Sequence, residues 1–306
     1  MLGIEGIETY LPDNEVYISN LSERLNLNRF QLTLLTRFHG LEKVRYKPDQ
    51  SLEEMLINPI EKMLSKVERK DIKYIIYAHT ITTVAPYPIN ILENIKKTLG
   101  LENATSFSIT HHHCSSAITA IEVAKHLIGD SRDKVLLLTG EKPFTPKAQL
   151  IPNTTVMGEG SACCLISANS KGNQLLSTNR MILGAYHSGV NLNDKQLKQF
   201  EKEYTDTLVK TIEGAISKAN LGMGDINHII PHNVNRSSWL KVIDALPLKK
   251  EIYFLDNISE IGHCYCSDPF LNLHTMLERG SIRKGEYYVF VTVGLGATFS
   301  AAVFQH

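Results

Sequence analysis

Two stretches of the sequence repeat one pattern, and this repeat decides the fold. Residues 129–132 (GDSR) lead into the apolar run 135–139 (VLLLT), and residues 280–283 (GSIR) lead into 288–292 (YVFVT). In each copy the glycine follows a segment with apolar residues at helical spacing, where glycine commonly ends a helix. Because self-similarity constrains the whole fold, we predict a duplicated chain.

The repeat extends outward from these stretches in the same order. The strand before each apolar run recurs as residues 74–77 (YIIY) and 228–231 (HIIP). A pair of glycines followed by a second apolar strand recurs at residues 158–167 and 294–304. Chance similarity between buried strands is the alternative explanation, but it does not account for the shared order of elements.

The strand-like runs are dense in Ile, Val, Leu and Tyr, and most are continuous rather than alternating. Continuous apolar strands belong to sheets covered on both faces, and the segments between them have helical spacing. The sequence therefore predicts a layered α/β architecture. Helices are predicted at residues 52–67, with an interruption at Pro59, and at 91–99, 117–128, 197–219 and 269–279.

Composition and charge exclude several classes of protein. The 306 residues are 43% hydrophobic and carry equal numbers of basic and acidic side chains, 32 of each. Such a chain is neither disordered nor a polyelectrolyte that binds nucleic acid. No apolar run approaches the roughly 18 residues of a membrane span, and Glu5 and Glu8 stand where a signal peptide would be basic. We therefore predict a cytoplasmic protein that does not enter the membrane.

The five cysteines are predicted to be thiols rather than parts of a disulfide framework. Cys163 and Cys164 are adjacent, and Cys264 and Cys266 are too close in sequence for an ordinary bridge. Cys163 and Cys164 lie in a predicted strand and are expected in the core. Glu159, between two glycines, is expected to bond the backbone of a turn.

Cys114 is the predicted nucleophile. Superposing the two halves places Cys114, just before one predicted helix, opposite His263, just before another. The N–H groups and positive dipole end of a helix N-terminus make a thiolate more available there. An inert core cysteine is the alternative. His232 ends the strand at residues 229–230, and sites collect at strand ends in α/β sheets.

These residues belong to a set of motifs that resembles the thiolase superfamily. The motifs are Cys114 after the strand 106–110, GEGSA at 158–162, PHNVN at 231–235, GHCY at 262–265 and GLG at 294–296. The resemblance covers essentially the full chain and is greatest to 3-oxoacyl-[acyl-carrier-protein] synthase III and its acyltransferase relatives. It implies the thiolase fold, with duplicated βαβαβαββ halves in a five-layered αβαβα arrangement. The halves would be residues 1–170, with the nucleophile, and 171–306, with the histidines.

The resemblance also implies an activity. Cys114 would take an acyl group from a thioester, and His232 and His263 would bind the thioester oxygen of a second substrate. With a malonyl thioester, loss of carbon dioxide would give a carbanion that attacks the acyl group in a decarboxylative condensation. The backbone N–H groups of Cys114 and Leu295 would form an oxyanion hole. The implied substrate-binding positions are Tyr87, Asn235, Gly294 and Gly296.

The implied partners are acyl thioesters of coenzyme A or of an acyl carrier protein, with no cofactor. A homodimer, or a heterodimer with a related chain, is expected, with Tyr87 reaching across the interface; a plain turn tyrosine is the alternative. No CxxC or HExxH spacing predicts a metal site. The pair Gly294 and Gly296 lacks the third glycine of a dinucleotide site.

Four features depart from the synthase III pattern. The family usually has asparagine where His263 stands, and small residues where residues 111–113 (HHH) precede the nucleophile. We expect those imidazoles to tune the thiolate or to pack. Trp239 is the only tryptophan, so the family's adenine-stacking tryptophan near the start is missing, which favours a carrier-protein donor. The segment 187–195 is short, which suggests an open pocket.

Two alternatives to condensation therefore stay open. One is acyl transfer to an oxygen or nitrogen nucleophile without condensation. The other is a non-catalytic partner subunit that retains the fold. Specialised lipid or polyketide metabolism is the expected setting.

Overall fold

The computed structural model describes residues 1–129 and 132–306, so Asp130 and Ser131 of the first repeat lie outside the described residues. The strands are β1 (Gly3–Tyr10), β2 (Glu15–Tyr17), β3 (Lys43–Arg45), β4 (Ile72–Ala78), β5 (Thr105–Ile109), β6 (Lys134–Glu141), β7 (Leu150–Ile151), β8 (Thr155–Val156), β9 (Gly160–Ser167), β10 (Gln174–Ile182), β11 (Ile226–Pro231), β12 (Tyr287–Gly294) and β13 (Thr298–Gln305). The α-helices are α1 (Arg29–Thr33), α2 (Leu52–Leu64), α3 (Ile91–Leu99), α4 (Ser116–Ile128), α5 (Pro146–Gln149), α6 (Asp194–Lys218), α7 (Arg236–Ala245), α8 (Asn257–Ile261) and α9 (Asp268–Glu278).

Among the described strands, β2 with β3 and β7 with β8 form two small sheets, and the other nine form one large mixed sheet in which the two halves repeat each other. Its order is β11-β12-β13-β10-β1-β9-β6-β4-β5. In the N-terminal half β4 and β6 are parallel and β9 is antiparallel to β6. In the C-terminal half β11 and β12 are parallel and β13 is antiparallel to β12. This shared topology confirms the predicted duplication.

One strand differs between the halves. In the N-terminal half β5 extends the sheet beside β4 over five residue pairs, from Tyr74 to Ala78. In the C-terminal half the matching contact is a single parallel bridge between Ile229 and Tyr253. The halves meet at β1 and β10, which share one register pair, Gly3 with Gln174.

The hydrophobic clusters define the layers. Helices α4 and α9 share one cluster with strands of both halves, as Ala117, Leu137, Phe270 and Phe290 illustrate. On the outer side of the N-terminal half α2 and α3 cover β4 and β6. On the outer side of the C-terminal half α6 and α7 cover β11 and β13. The order of layers is αβαβα, with α4 and α9 in the middle, as predicted.

Most predicted elements are confirmed, but Pro59 does not interrupt its helix. Helix α2 runs from Leu52 to Leu64 with Pro59 inside it. Proline has no N–H to donate to the carbonyl four residues earlier, which belongs to Met55. The Ser161 hydroxyl on β9 donates to that carbonyl instead, at 2.6 Å. A neighbouring strand therefore satisfies the group that the proline leaves free.

The turns before α4 and α9 correct the predicted superposition. Each contains a short 3-10 helix, His113–Ser115 in one half and Tyr265–Ser267 in the other. His113 and Tyr265, the first residues of these turns, both adopt positive φ, 49° and 54°. Cys114 therefore matches Cys266, and His263 lies three residues ahead of that position. The sequence did not reveal this offset, because a loose alignment of the two halves can place either His263 or Cys266 opposite Cys114.

The predicted division between residues 170 and 171 lies in the connection between β9 and β10. This boundary stays a prediction. Cys163 and Cys164 lie in β9 and are fully buried, which confirms their place in the core. Glu159 accepts a hydrogen bond from the Lys47 backbone N–H at 2.9 Å, as expected for a residue that ties a turn.

Candidate active site

Cys114 lies in the turn between β5 and α4. Helix α4 begins two residues later, so the sulfur sits at the N-terminal end of that helix. His113 bends the chain with its positive φ of 49°, and its carbonyl accepts a hydrogen bond from the Cys266 thiol at 3.1 Å. This turn places the Cys114 side chain against a cavity, although only 4% of the residue is exposed.

The Cys114 sulfur has two polar neighbours. His263 Nε2 lies 3.4 Å away, and the Thr80 hydroxyl donates to the sulfur at 3.5 Å. The backbone N–H groups of Thr80 and Ile81 donate to the buried Glu141 carboxyl at 2.5 and 2.6 Å. Burial raises the pKa of Glu141 to about 7, against the lowering effect of these hydrogen bonds. Glu141 thus holds the turn that brings the Thr80 hydroxyl to the sulfur.

Hydrogen bonds of both the backbone and the ring hold His263 in place. Its N–H donates to the Val156 carbonyl at 3.3 Å, and its carbonyl accepts from the Gly158 N–H at 2.9 Å. Its Nδ1 lies 2.5 Å from Asp268 Oδ2. Because a carboxylate only accepts, the proton of this bond lies on Nδ1, and Nε2 points to the Cys114 sulfur.

The charge of His263 is set by its neighbours. Burial disfavours the imidazolium, but the negative charges of Asp268 and of the Cys114 sulfur outweigh burial and raise the pKa of His263 to about 10. At neutral pH the ring is therefore an imidazolium whose Nε2–H faces the sulfur. An imidazolium beside a thiolate favours the nucleophilic form of a cysteine.

His232 has a different environment. It follows β11, and its Nδ1 lies 3.4 Å from the Val291 carbonyl. The His232 carbonyl accepts from Trp239 Nε1 at 3.0 Å, and its ring centroid is 5.8 Å from that of His263. Burial first, and then the charge of His263, lower the pKa of His232 to about 3. The two neighbouring imidazoles therefore differ in charge, because the protonated form is favoured at His263 and the neutral form at His232.

A cavity of about 340 Å³ gives access to these groups. Cys114, His232 and His263 all line it, so the structure brings the three predicted catalytic residues together. The cavity wall also carries apolar side chains from α6 and from the segment before it: Val190, Leu192, Leu197 and Phe200. Of the two histidines, His263 is the one in contact with the sulfur.

The other predicted positions divide into two groups. Leu295 and Asn235 line the cavity. The Asn235 side chain also caps α7, accepting from the Ser238 N–H at 2.7 Å. Tyr87 is 98% exposed and lies outside the cavity. The predicted binding role of each of these residues stays a prediction.

Gly294 and Gly296 have backbone requirements that only glycine meets. A Cβ on Gly294 would lie 2.0 Å from the His112 carbonyl oxygen. Gly296 has φ of 125°, a conformation that side-chain-bearing residues rarely adopt. These glycines let β12 and the Leu295 turn approach the chain just before Cys114. Their predicted part in substrate binding is not tested by this packing.

Two of the histidines that precede the nucleophile have different surroundings. His112 Nδ1 lies 2.7 Å from the Thr119 hydroxyl, which also accepts from Arg180 at 2.9 Å. His111 is exposed. The neighbours of His112 therefore favour the packing role over the tuning role.

Sequence reasoning missed Asp268, Thr80 and Glu141. Thr80 follows β4 and meets Cys114 because β4 pairs with β5, and Glu141 ends β6 on the other side of β4. Asp268 could have been found, because an acidic residue five positions after His263 begins a helix whose next residue is Pro269. That pattern predicts a turn that returns the carboxylate toward the histidine.

Comparison with known proteins gives a consistent result along the chain. Residues 216–306 match the family described as the C-terminal part of 3-oxoacyl-[acyl-carrier-protein (ACP)] synthase III. The β-ketoacyl-[acyl-carrier-protein] synthase III of Rickettsia canadensis is 24% identical over 321 residues, covering 99% of this chain and 98% of the relative. That of Fusobacterium nucleatum is 24% identical over 338 residues, with the same coverage. Over almost its full length the chain is therefore similar to β-ketoacyl-[acyl-carrier-protein] synthase III.

Solved structures share the fold of this chain. The 3-oxoacyl-[acyl-carrier-protein] synthase III of Aquifex aeolicus superposes with a TM-score of 0.85 at 17% identity, covering 100% of both chains. The acyltransferase ChlB3 gives a TM-score of 0.87 at 16% identity, covering 99% of this chain and 97% of its own. These similarities confirm the predicted thiolase fold. Within the described ranges, no helix has the length and apolar character needed to cross a membrane.

Proposed function

We propose that this protein is an acyltransferase that carries an acyl group on Cys114 and joins it to a malonyl thioester by decarboxylative condensation. The observation that carries the proposal is the contact of Cys114 Sγ with His263 Nε2, 3.4 Å apart on the wall of an open cavity. A nucleophile, a protonated partner and access for substrate are thereby present at one place.

In the loading step, the Cys114 thiolate attacks the carbonyl carbon of an acyl thioester. A carbon–sulfur bond forms, and the carbonyl oxygen becomes an oxyanion that the N–H groups of Cys114 and Leu295 would stabilise. The bond to the donor's sulfur then breaks, and the donor leaves as a thiolate that takes a proton from water. The product is an acyl-Cys114 thioester. The donor is a thioester of a carrier protein or of coenzyme A.

In the second step, the malonyl thioester loses carbon dioxide, and the electrons of the broken carbon–carbon bond form an enolate. The His263 Nε2–H donates to the enolate oxygen. His232 would bind the same oxygen in the tautomer whose proton lies on Nε2, which gives up the contact of Nδ1 with the Val291 carbonyl. The carbanion attacks the acyl carbonyl, the bond to Cys114 breaks, and the thiolate returns beside the imidazolium. This step needs a hydrogen-bond donor and no proton transfer.

Transfer to an alcohol or amine would need a general base to remove a proton from the acceptor. His263, with a pKa of about 10, is already protonated at neutral pH. His232, with a pKa of about 3, is a weak base. The charge states of the two imidazoles therefore favour condensation over transfer to oxygen or nitrogen.

We further propose that the protein works as a homodimer, with residues 1–170 supplying the nucleophile and 171–306 the histidines. Tyr87 and Ile89 are apolar side chains that are 98% and 54% exposed on the single chain. Burial of such a pair against a second copy would remove apolar surface from water. Light scattering at several protein concentrations tests the dimer, and a monomer at all of them would contradict it.

The function is tested by weighing the intact protein after incubation with a panel of acyl thioesters, and then by measuring carbon dioxide released from malonyl thioesters. An adduct on Cys114 and carbon dioxide release that depends on it are expected. Product formation with an alcohol or amine and no carbon dioxide would reject condensation. No adduct with any donor would favour a non-catalytic partner subunit.

A further inference from the structure

Asp268 is a buried carboxylate that accepts several hydrogen bonds. It is the first residue of α9 and is fully buried. Its Oδ2 accepts from the Asn233 N–H at 2.6 Å and lies 2.5 Å from His263 Nδ1. Its Oδ1 accepts from the Cys264 N–H at 2.6 Å. With a further hydrogen bond from Asn233 Nδ2 to Oδ1 at 3.4 Å, four donors from three residues offset the cost of burying this charge.

These donors belong to both histidine-bearing loops. Asn233 directly follows His232 in the loop after β11, and Cys264 directly follows His263 in the turn before α9. One carboxylate therefore ties the two loops to a single point at the start of α9. Any shift of Asp268 would move both imidazoles relative to the Cys114 sulfur.

The same carboxylate makes the two imidazoles different. His263 Nδ1 has a full negative charge as its partner, whereas His232 Nδ1 faces only the Val291 carbonyl, at the longer distance of 3.4 Å. A charged acceptor stabilises an imidazolium far more than a carbonyl does. A charged His263 in turn disfavours a second charge on His232, whose ring is 5.8 Å away.

We infer that Asp268 is a positioning residue that holds His263 as a charged hydrogen-bond donor toward Cys114 and keeps His232 neutral. The inference rests on the proposed function. It goes beyond that function because it assigns the charge difference between the two imidazoles to one residue. The titratable groups around the His263 ring are Asp268 on α9, Cys114 before α4, His232 after β11, Glu141 in β6 and Tyr265 in its own turn.

The first test is the variant Asp268→Asn, which keeps one oxygen acceptor and loses the charge. In the wild type, condensation should fall at alkaline pH, where the His263 donor, whose pKa the charge of Asp268 raises against the effect of burial, is deprotonated. In the variant this fall should move to lower pH by at least about one unit, and the rate at neutral pH should drop about 10- to 100-fold. Loading of Cys114 should change less.

A double-mutant cycle separates this role from simple support of the fold. In the His263→Asn background, Asp268→Asn should lower the condensation rate much less than in the wild type, because the imidazole whose charge Asp268 sets is absent and only its tie to the His232 loop remains. Equal losses in both backgrounds would overturn the inference. Glu286→Gln is the matched control, since Glu286 pairs with His228 at 2.9 Å away from the cavity. This control should leave the pH profile unchanged.

A measurement on the unmodified chain covers the case in which Asp268→Asn does not fold. The ¹⁵N shifts of labelled histidines, assigned with His263→Asn, should show an imidazolium at position 263 and a neutral ring at 232 at about pH 8. A neutral His263 ring would overturn the inference. Since this readout needs no substrate, it decides the inference even if Cys114 accepts no acyl group and the proposed function fails.

Discussion

In the N-terminal half, the turn before α4 presents Cys114 to the cavity, whereas the matching turn before α9 holds Cys266 away from it, fully buried. The backbones of the two turns agree, with a residue of positive φ first and a serine last in each 3-10 helix. Burial raises the pKa of Cys266 well above its usual range. The shared backbone therefore provides the turn, and the surroundings decide which thiol can react.

The first residues of α4 and α9 extend this comparison. Ser116 begins α4, and its buried hydroxyl has no hydrogen-bond partner among the described residues. Asp268 begins α9 and collects donors from both histidine loops. The two helix starts therefore differ by single side chains, and under the proposed function one half supplies the nucleophile and the other the charged donor.

The glycines show that each half also shapes the other half's turn. A Cβ on Gly294, in the C-terminal half, would lie 2.0 Å from the His112 carbonyl oxygen, just before Cys114. A Cβ on Gly158, in the N-terminal half, would lie 2.4 Å from the Ile261 carbonyl oxygen, just before His263. This reciprocal contact explains why the glycine pairs recur in the sequence.

The largest effect should come from removing the thiol that lines the cavity. Cys114→Ala should abolish the acyl adduct and lower condensation by at least about 10⁴-fold, because no other thiol reaches the cavity with a charged partner. Cys266→Ala is the matched variant and should keep full labelling. Intact-mass measurement checks both. A full adduct on Cys114→Ala would reject the nucleophile assignment.

Removal of the donor should have the next largest effect. His263→Ala should slow condensation about 100-fold, or about 2.7 kcal/mol, because the enolate oxygen loses a charged donor. Loading should fall less than about tenfold, since the helix N-terminus still favours the thiolate. His228→Ala, outside the cavity, is the control. Separate rates of adduct formation and carbon dioxide release decide the matter; equal losses in both would contradict the assigned step.

The reciprocal glycine contacts can be broken one at a time. Gly294→Ala and Gly158→Ala should each lower the free energy of unfolding by about 2 kcal/mol or more, because backbone of the other half must move. Gly172→Ala is the control, since a Cβ there meets nothing within 4 Å. Urea titrations of the three variants check the prediction. Wild-type stability of Gly294→Ala would show that the halves are not in close contact there.

Much of the fold could be predicted because buried strands need continuous apolar runs, and β6 and β12 have them. Strand β10 was not singled out, since its residues QLLSTNRMI are mostly half-buried and mix polar with apolar side chains. Pro59 was misjudged because its compensation comes from Ser161 on a distant strand. A local sequence pattern indicates which residues are buried, but it cannot indicate a hydrogen-bond partner that comes from a distant part of the chain.

At the site, the sequence motifs identified the residues that line the cavity but not the residues that position their side chains. Cys114, His232 and His263 stand in motifs at the ends of elements, where sequence reasoning looks for chemistry. Thr80 meets Cys114, and Glu141 meets Thr80, through the register of β4 with its two neighbours β5 and β6. The charge difference between the two histidines depends on Asp268, and thus on a turn whose backbone the sequence alone did not define.

The smallest effect tests whether the two helix starts really differ in task. Ser116→Ala should change the free energy of unfolding by less than about 1 kcal/mol, and can raise it, because it removes a buried hydroxyl that has no partner. Loading and condensation should stay within about twofold of the wild type. The same substitution at the matching position, Asp268→Ala, leaves several donors without an acceptor and should destabilise the protein by about 3 kcal/mol or more. Similar losses in the two variants would mean that the Ser116 hydroxyl also holds its turn, and the contrast between the halves would then lie in the cysteine and histidine alone.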